Sequence, residues 1–187
     1  MVNQSGKLIY VVGPSGAGKD ALLDYARAHL PTEANIRFAR RWVTRPAGAG
    51  GEAHLPLTQA QFEQKVQQGT FAMHWQAHGN RYGIGTEIRD WLRAGSAVVV
   101  SGSREYLPQA LADFPDMRVL LVTVNPGVLR ERLLRRGRES SAKIEERLYR
   151  ASQFGVPTHA AVVEIRNDGP LEEGEAAMLH ALLGSAV

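Results

Sequence analysis

The stretch Gly13-Pro14-Ser15-Gly16-Ala17-Gly18-Lys19-Asp20 follows the apolar run Leu8-Ile9-Tyr10-Val11-Val12 and opens into Ala21-Leu22-Leu23-Asp24-Tyr25-Ala26. A buried strand, a glycine-rich turn ending in lysine, and a helix is the order that cradles a nucleotide's phosphates. Glycines without a Cβ let the backbone wrap round phosphate oxygens and turn its N–H groups inward. The helix behind the turn adds partial positive charge at its N-terminus, and Lys19 adds a mobile ammonium. Gly13, Pro14, Ser15, Gly16, Ala17, Gly18, Lys19 and Asp20 are therefore the expected nucleotide-binding residues. In most such loops a Ser or Thr follows the lysine and its hydroxyl ligates Mg²⁺. Here the residue is Asp20. Two readings stand side by side: a carboxylate favoured by the helix dipole, and a carboxylate that holds Mg²⁺ directly or through water.

The 187 residues fit one domain, and 44% hydrophobic with 22% charged residues is a globular balance. With no cysteine there is no disulfide framework and no thiolate metal site. Met1–Lys7 lacks the apolar core of a signal peptide, and no apolar run is long enough to span a bilayer. A soluble cytoplasmic protein is expected, with no membrane partner. Net charge is only +3, yet 18 of the 22 basic residues are arginine. Arg37, Arg40, Arg41 and Arg45 form one window, and Arg130, Arg132, Arg135, Arg136, Arg138, Arg147 and Arg150 form another. The planar guanidinium is the bidentate partner of phosphate, so two such windows beside a phosphate loop point to several phosphate groups. Glu131, Glu139, Glu145 and Glu146 make part of the second window a solvated helix face. Nucleic acid is not an expected partner, because no recognisable module accompanies the small net charge.

Hydrophobic patterning predicts strands at 7–12, 36–39, 97–100, 117–124 and 161–165, alternating with helices near 18–30, 58–68, 86–94, 104–113, 126–136, 143–153 and 171–183. Two further short strands, 71–76 and 80–84, flank a turn at His78-Gly79-Asn80. Arg45 to Glu52 reads as a loop. Strands alternating with helices define an α/β fold with a parallel sheet covered on both faces.

The order of motifs resembles the guanylate kinase superfamily over nearly the whole chain. The similar stretches are Gly13–Lys19, Thr44-Arg45-Pro46 with Gly51-Glu52, Phe71 with Trp75, and His78-Gly79-Asn80-Arg81-Tyr82-Gly83. They continue with Arg132-Leu133-Leu134-Arg135-Arg136-Gly137, Ile144-Glu145-Glu146-Arg147-Leu148 and Asn167-Asp168. The resemblance implies a P-loop nucleoside-triphosphate-binding core with an acceptor-binding region at about 36–95 and an arginine lid at about 130–150. ATP would be the donor and Mg²⁺ the accompanying ion. Lys19, Arg135, Arg136, Arg138 and Arg147 would act on the transferring phosphoryl, and Asn167 would lie near the nucleotide. Arg45 leads the candidates for the acceptor phosphate, with Arg41, Arg81 and Arg104 behind it. His74, Tyr82 and Ser103 complete the expected acceptor site.

The departures bear on the substrate. Guanylate kinases carry a glutamate just before the tryptophan and an acidic residue after the central strand. This chain has His74 before Trp75, and Ser101-Gly102-Ser103 after the strand. A second acceptor arginine is replaced within Ala47-Gly48-Ala49, and His54 stands where a tyrosine is expected. Guanine's donors would face no acceptors in such a pocket. The branch that shares Gly-Pro-Ser-Gly-x-Gly-Lys-Asp and Ser-Gly-Ser-Arg is the ribose 1,5-bisphosphate phosphokinases, which implies a sugar phosphate as partner and makes Asp20 a mark of the branch. A nucleoside monophosphate kinase is the alternative, and a non-catalytic interaction module a further one. Oligomeric state, a homodimer included, is open. Lys19→Ala should abolish phosphoryl transfer at unchanged thermal stability, because it deletes charge aimed at the γ-phosphate. Turnover and melting temperature of the purified variant check this.

Overall fold

The structure, a computed structural model, describes residues 6–48, 53–137, 140–153 and 161–185. Strand β1 (Leu8–Val12) is buried at every position. It runs parallel between β7 (Ala97–Ser101) and β8 (Arg118–Thr123), with β2 (Ile36–Phe38) and β9 (Ala161–Arg166) at the edges of the five-stranded sheet. A central parallel strand has no solvent face, which is why Leu8–Val12 reads as a continuous apolar run rather than an alternating one.

Its side chains divide by parity. Ile9 and Val11 join Val99, Leu120 and Val122 in a core covered by α1 (Lys19–His29) and α7 (Leu171–Ser185). Leu8, Tyr10 and Val12 join a core on the opposite face, closed by α3 (Glu87–Arg93), α4 (Leu107–Asp113) and a second sheet. That sheet has the order β4-β3-β6-β5, from Leu55–Pro56, Arg41–Val43, Asn80–Gly85 and Phe71–Ala77. Helix α2 (Gln59–Gln67) lies between β4 and β5 in chain order. Sequence patterning anticipates β5 and β6 but not β3 and β4, whose three and two residues are too short to show a period. The acceptor region drawn at about 36–95 thus spans both sheets, since β2 pairs with β7 in the first. A third, small core of Leu129, Leu133 and Ile144 holds α5 (Pro126–Arg136) to α6 (Ser141–Ser152). Among the described residues no helix is long and apolar enough to cross a membrane.

Local chemistry sets the boundaries. Thr58 caps α2 in a two-way box: its hydroxyl accepts from Gln61 N–H, and Gln61 Oε1 accepts from Thr58 N–H. Pro126 begins α5 where its missing N–H costs nothing, Asn125 accepts from Gly127 N–H, and Gly137 ends the helix at φ 62°. Between β5 and β6, His78 and Gly79 both take positive φ (50° and 75°), as a two-residue hairpin turn demands. Thr58→Ala should lower stability by about 1 kcal/mol without touching catalysis, since it removes one cap remote from the phosphate loop. Urea unfolding beside an activity assay measures both.

Candidate functional site

The loop between β1 and α1 adopts the shape its glycines predict. Gly18 sits at φ +93°, and a Cβ there would lie 2.5 Å from Asn167 Nδ2, so any larger residue is barred twice. Asn167, 2% exposed at the end of β9, donates from Nδ2 to the Ala17 carbonyl at 2.7 Å. Asn167, expected near the nucleotide, holds the backbone of the phosphate loop. Neighbouring Asp168 accepts from Asn125 N–H, tying the same turn to the start of α5. Lys19 Nζ is folded onto the loop, donating to the carbonyls of Gly13 (2.7 Å) and Pro14 (3.1 Å). Phosphate oxygens offer that ammonium charged acceptors in place of carbonyls, a stronger bond.

From above, Arg147 of α6 donates to Ser15 Oγ at 2.8 Å, across 132 residues of chain. Of the anticipated lid residues, Arg147 therefore reaches the phosphate loop. Arg135 and Arg136 are exposed in the last turn of α5, and Arg138 lies outside the described residues.

Of the residues expected for the acceptor, Arg41 and Arg45 are each held by neighbours. Arg41 donates to the Ser101 carbonyl (3.3 Å), stands 4.0 Å from Asp20 Oδ1, and lies with its guanidinium 5.3 Å from the centre of the Tyr82 ring. Tyr82, 8% exposed, stacks on Trp75 at 5.7 Å, which in turn stacks on Tyr106 at 5.5 Å. Beside Arg41 a cavity of about 500 Å³ is lined by Asp20, Asp24, Arg27, Arg40 and Ser101. Arg45 is held by His54, itself only 6% exposed: Nε2–H donates to the Arg45 carbonyl at 3.0 Å, leaving Nδ1 to accept from Arg45 Nη2 at 3.4 Å. A neutral imidazole in one tautomer satisfies both contacts, so the residue in the expected tyrosine's place fixes the arginine.

Two anticipated residues lie on the face of the second sheet opposite Trp75 and Tyr82. Along β5, Met73 and Trp75 are buried while His74 is exposed, and in β6 Arg81 stands next to the buried Tyr82, which pairs with Trp75. His74 sits 6.4 Å from Phe71, and Arg81 pairs with Glu63 of α2 at 3.3 Å. Both therefore point toward α2, away from the Trp75–Tyr82 face. Adjacent residues on a strand face opposite ways, so His74 beside Trp75 and Arg81 beside Tyr82 cannot share their neighbours' face. Ser103 serves mainly through its backbone, which donates to and accepts from the Tyr10 hydroxyl (3.0 and 3.1 Å). Burial holds that phenol far above its ordinary range, so it stays protonated and braces the turn. Gly102 is required beside it, since a Cβ would overlap the Tyr10 ring. Arg104, half-buried, donates to the Arg150 carbonyl at 3.4 Å.

Among the described residues no group of three or more His, Cys, Asp or Glu could hold a metal ion. Asp20, nearly half exposed in the first turn of α1, fits an ion that arrives already coordinated by phosphates, for which one carboxylate is enough.

Fold and loop together define a P-loop nucleotide-binding protein of guanylate kinase-like architecture. The guanylate kinase of Anaplasma phagocytophilum superposes with a TM-score of 0.71 at 16% identity, over 98% of this chain and 88% of that one. No family model matches the chain. Its sequence is 49% identical over 166 residues to ribose 1,5-bisphosphate phosphokinase PhnN of Thiobacillus denitrificans, covering 89% of this chain and 87% of the relative. It is 48% identical over 180 residues to the protein of the same name from Burkholderia pseudomallei, covering 96% and 97% of the two chains. The chain belongs to the ribose 1,5-bisphosphate phosphokinase family.

The opposed faces of the second sheet separate the arginines by test. Arg41→Ala should raise the acceptor's KM by roughly tenfold or more, through loss of a charge-assisted contact. Arg81→Ala should leave kinetics within about twofold, because it removes only a solvent-side ion pair. Steady-state kinetics of the two variants decide it, and equal effects would contradict the face assignment.

Proposed function

We propose that this protein transfers the γ-phosphoryl group of ATP to the 1-phosphate of ribose 1,5-bisphosphate, releasing 5-phosphoribosyl 1-diphosphate and ADP, as a step in phosphonate utilisation in the cytoplasm. The observation that carries the reading is near-half identity to relatives of that name over almost the full length of both chains. A 1-phosphate oxygen, already ionised at neutral pH, forms the new bond to the γ-phosphorus while the bond to the bridging oxygen of ADP breaks. No general base is needed, so the task is alignment and neutralisation of charge.

Lys19 and the amides of residues 13–20 hold the β- and γ-phosphates. Asp20 would hold the Mg²⁺ carried by ATP, directly or through water, and the ion would offset their charge. Arg147 covers the transferring group from α6, where it already meets Ser15, and Arg135, Arg136 and Arg138 add positive charge around it. Arg45, oriented by His54, meets the acceptor's 1-phosphate, with Arg41 behind it. Tyr82 closes the pocket wall through its stack on Trp75. Excluding water from these cations strengthens each contact with the phosphates.

An ADP-release assay across ribose 1,5-bisphosphate, GMP, AMP and UMP tests the proposal. Ribose 1,5-bisphosphate should give the highest kcat/KM by a wide margin, because Ser101–Ser103 and the Trp75 face present guanine with no carboxylate. A higher kcat/KM for GMP would turn the reading to a nucleotide kinase. No transfer and no ATP binding would turn it to an interaction module.

A further inference from the structure

Three separate parts of the chain meet around Arg150. It lies three residues after Arg147 on α6, so the two guanidinium groups leave the same side of the helix about one turn apart. Arg150 Nη1 stands 3.4 Å from Nδ1 of His78, in the β5–β6 turn, and Arg104 Nη2, beyond β7, donates to the Arg150 carbonyl at 3.4 Å. These contacts are long, and Nε of Arg150 is buried with no acceptor among the described residues. Among the described residues the one carboxylate paired with Arg150 is Glu146, at 3.5 Å across a largely exposed helix turn, a weak tie. Glu105 is the other nearby carboxylate felt by both His78 and Arg104. Burial and the charges of Arg150, Arg147 and Arg104 push the His78 proton off, against the opposing pull of Glu105. Burial also works against the charge on Arg104. Like charges gathered at this cost, and joined by long hydrogen bonds, describe a place prepared for an anion.

We propose that Arg104, Arg150 and His78 form a second anion subsite that holds the distal 5-phosphate of the acceptor and thereby selects a sugar bearing two phosphates. The inference rests on the acceptor named above. Arg147 marks the transfer point through its bond to Ser15. Arg150 sets a second cation roughly 4.5 Å further along the helix axis, a step on the scale of the pentose that separates the two phosphates. The cavity beside Arg41 is the competing position, but there Asp20 and Asp24 offset two of the charges of Arg27, Arg40 and Arg41. Those carboxylates suit sugar hydroxyls instead. A nucleoside monophosphate would bring an uncharged base to Arg104 and Arg150, where the bisphosphate brings a dianion.

The test compares parent, Arg150→Ala and Arg150→Lys with ribose 1,5-bisphosphate and with ribose 1-phosphate as acceptors. Arg150→Ala should raise the KM for the bisphosphate by about ten- to a hundredfold, the effect of one charge-assisted contact, with the KM for ATP unchanged. The kcat/KM for ribose 1-phosphate should not move, and Arg150→Lys should recover part of the loss. Equal losses on both acceptors would make Arg150 a fastening of α6 to the hairpin and overturn the subsite, as would an unchanged KM. Imidazole NMR of the parent supplies the independent arm. Ribose 5-phosphate should shift the His78 ring signals and raise its pKa, because a phosphate opposes the arginines that now expel the proton, and ribose 1-phosphate should do neither. If the parent fails to turn over ribose 1,5-bisphosphate, the activity falls. A His78 response to ribose 5-phosphate would still uphold the anion subsite, and silence there would remove it.

Discussion

Burial of β1 on both faces is the constraint from which the site follows. A strand enclosed by parallel neighbours and two helical layers has one place where its chain can reach solvent, the carboxyl end. Three connections gather there: the glycine loop after Val12, the Ser101–Arg104 turn after β7, and the Asn167 turn after β9. Each is anchored to the sheet by a buried polar contact, through the Tyr10 hydroxyl to Ser103 and through Asn167 to the Ala17 carbonyl. Buried hydrogen bonds are costly to leave unmade, so they fix loop positions that apolar packing alone would leave free. The phosphate cradle is therefore rigid before any nucleotide arrives, and binding need not supply the energy to order it.

Around that rigid centre the arginines fall into two kinds. Arg41 and Arg45 are held by groups that fix their direction: the Ser101 carbonyl and Asp20 for the first, His54 for the second. Arg135 and Arg136 stand exposed at the end of α5. Arginines held in place present charge without reorganising, while mobile ones can follow charge as it shifts along the transfer. Arg147 lies between these kinds, anchored to the loop by a neutral hydroxyl that a phosphate readily replaces.

The core and the loop were legible because both are local. A five-residue apolar run and a glycine-lysine turn carry their structure within a dozen residues, and the helix stops at Gly69, Gly95 and Gly137 all take positive φ. The second sheet was legible only as a hairpin, since β3 and β4 are too short for a period and acquire their conformation from pairing with β6 and with each other. His74 and Arg81 lie opposite Trp75 and Tyr82 for one reason. Each is the chain neighbour of a core-facing aromatic, and a strand alternates its faces, so a motif read as one block spans both. Asn167 was legible as a residue near the loop, but its bond to the Ala17 carbonyl shows only in the fold, because a motif records proximity and not direction. His54 was visible as a departure in a tyrosine's place; only the fold shows that its two nitrogens fasten Arg45 at backbone and side chain.

The α5–α6 pair shows how such a site can close and release. Its own core has three fully enclosed side chains, Leu129, Leu133 and Ile144, separate from the two cores that cover the main sheet. A unit joined internally by apolar packing moves as one body. Its ties to the parts facing it across the site are of a different kind: Arg147 to Ser15, Arg150 to His78, and Arg104 to the Arg150 carbonyl. These are polar contacts near solvent, each of which water or a phosphate can replace at little net cost. Anionic ligands strengthen this joint by settling among cations that otherwise repel one another, so the contacts of α6 across the site depend on the charge of what is bound.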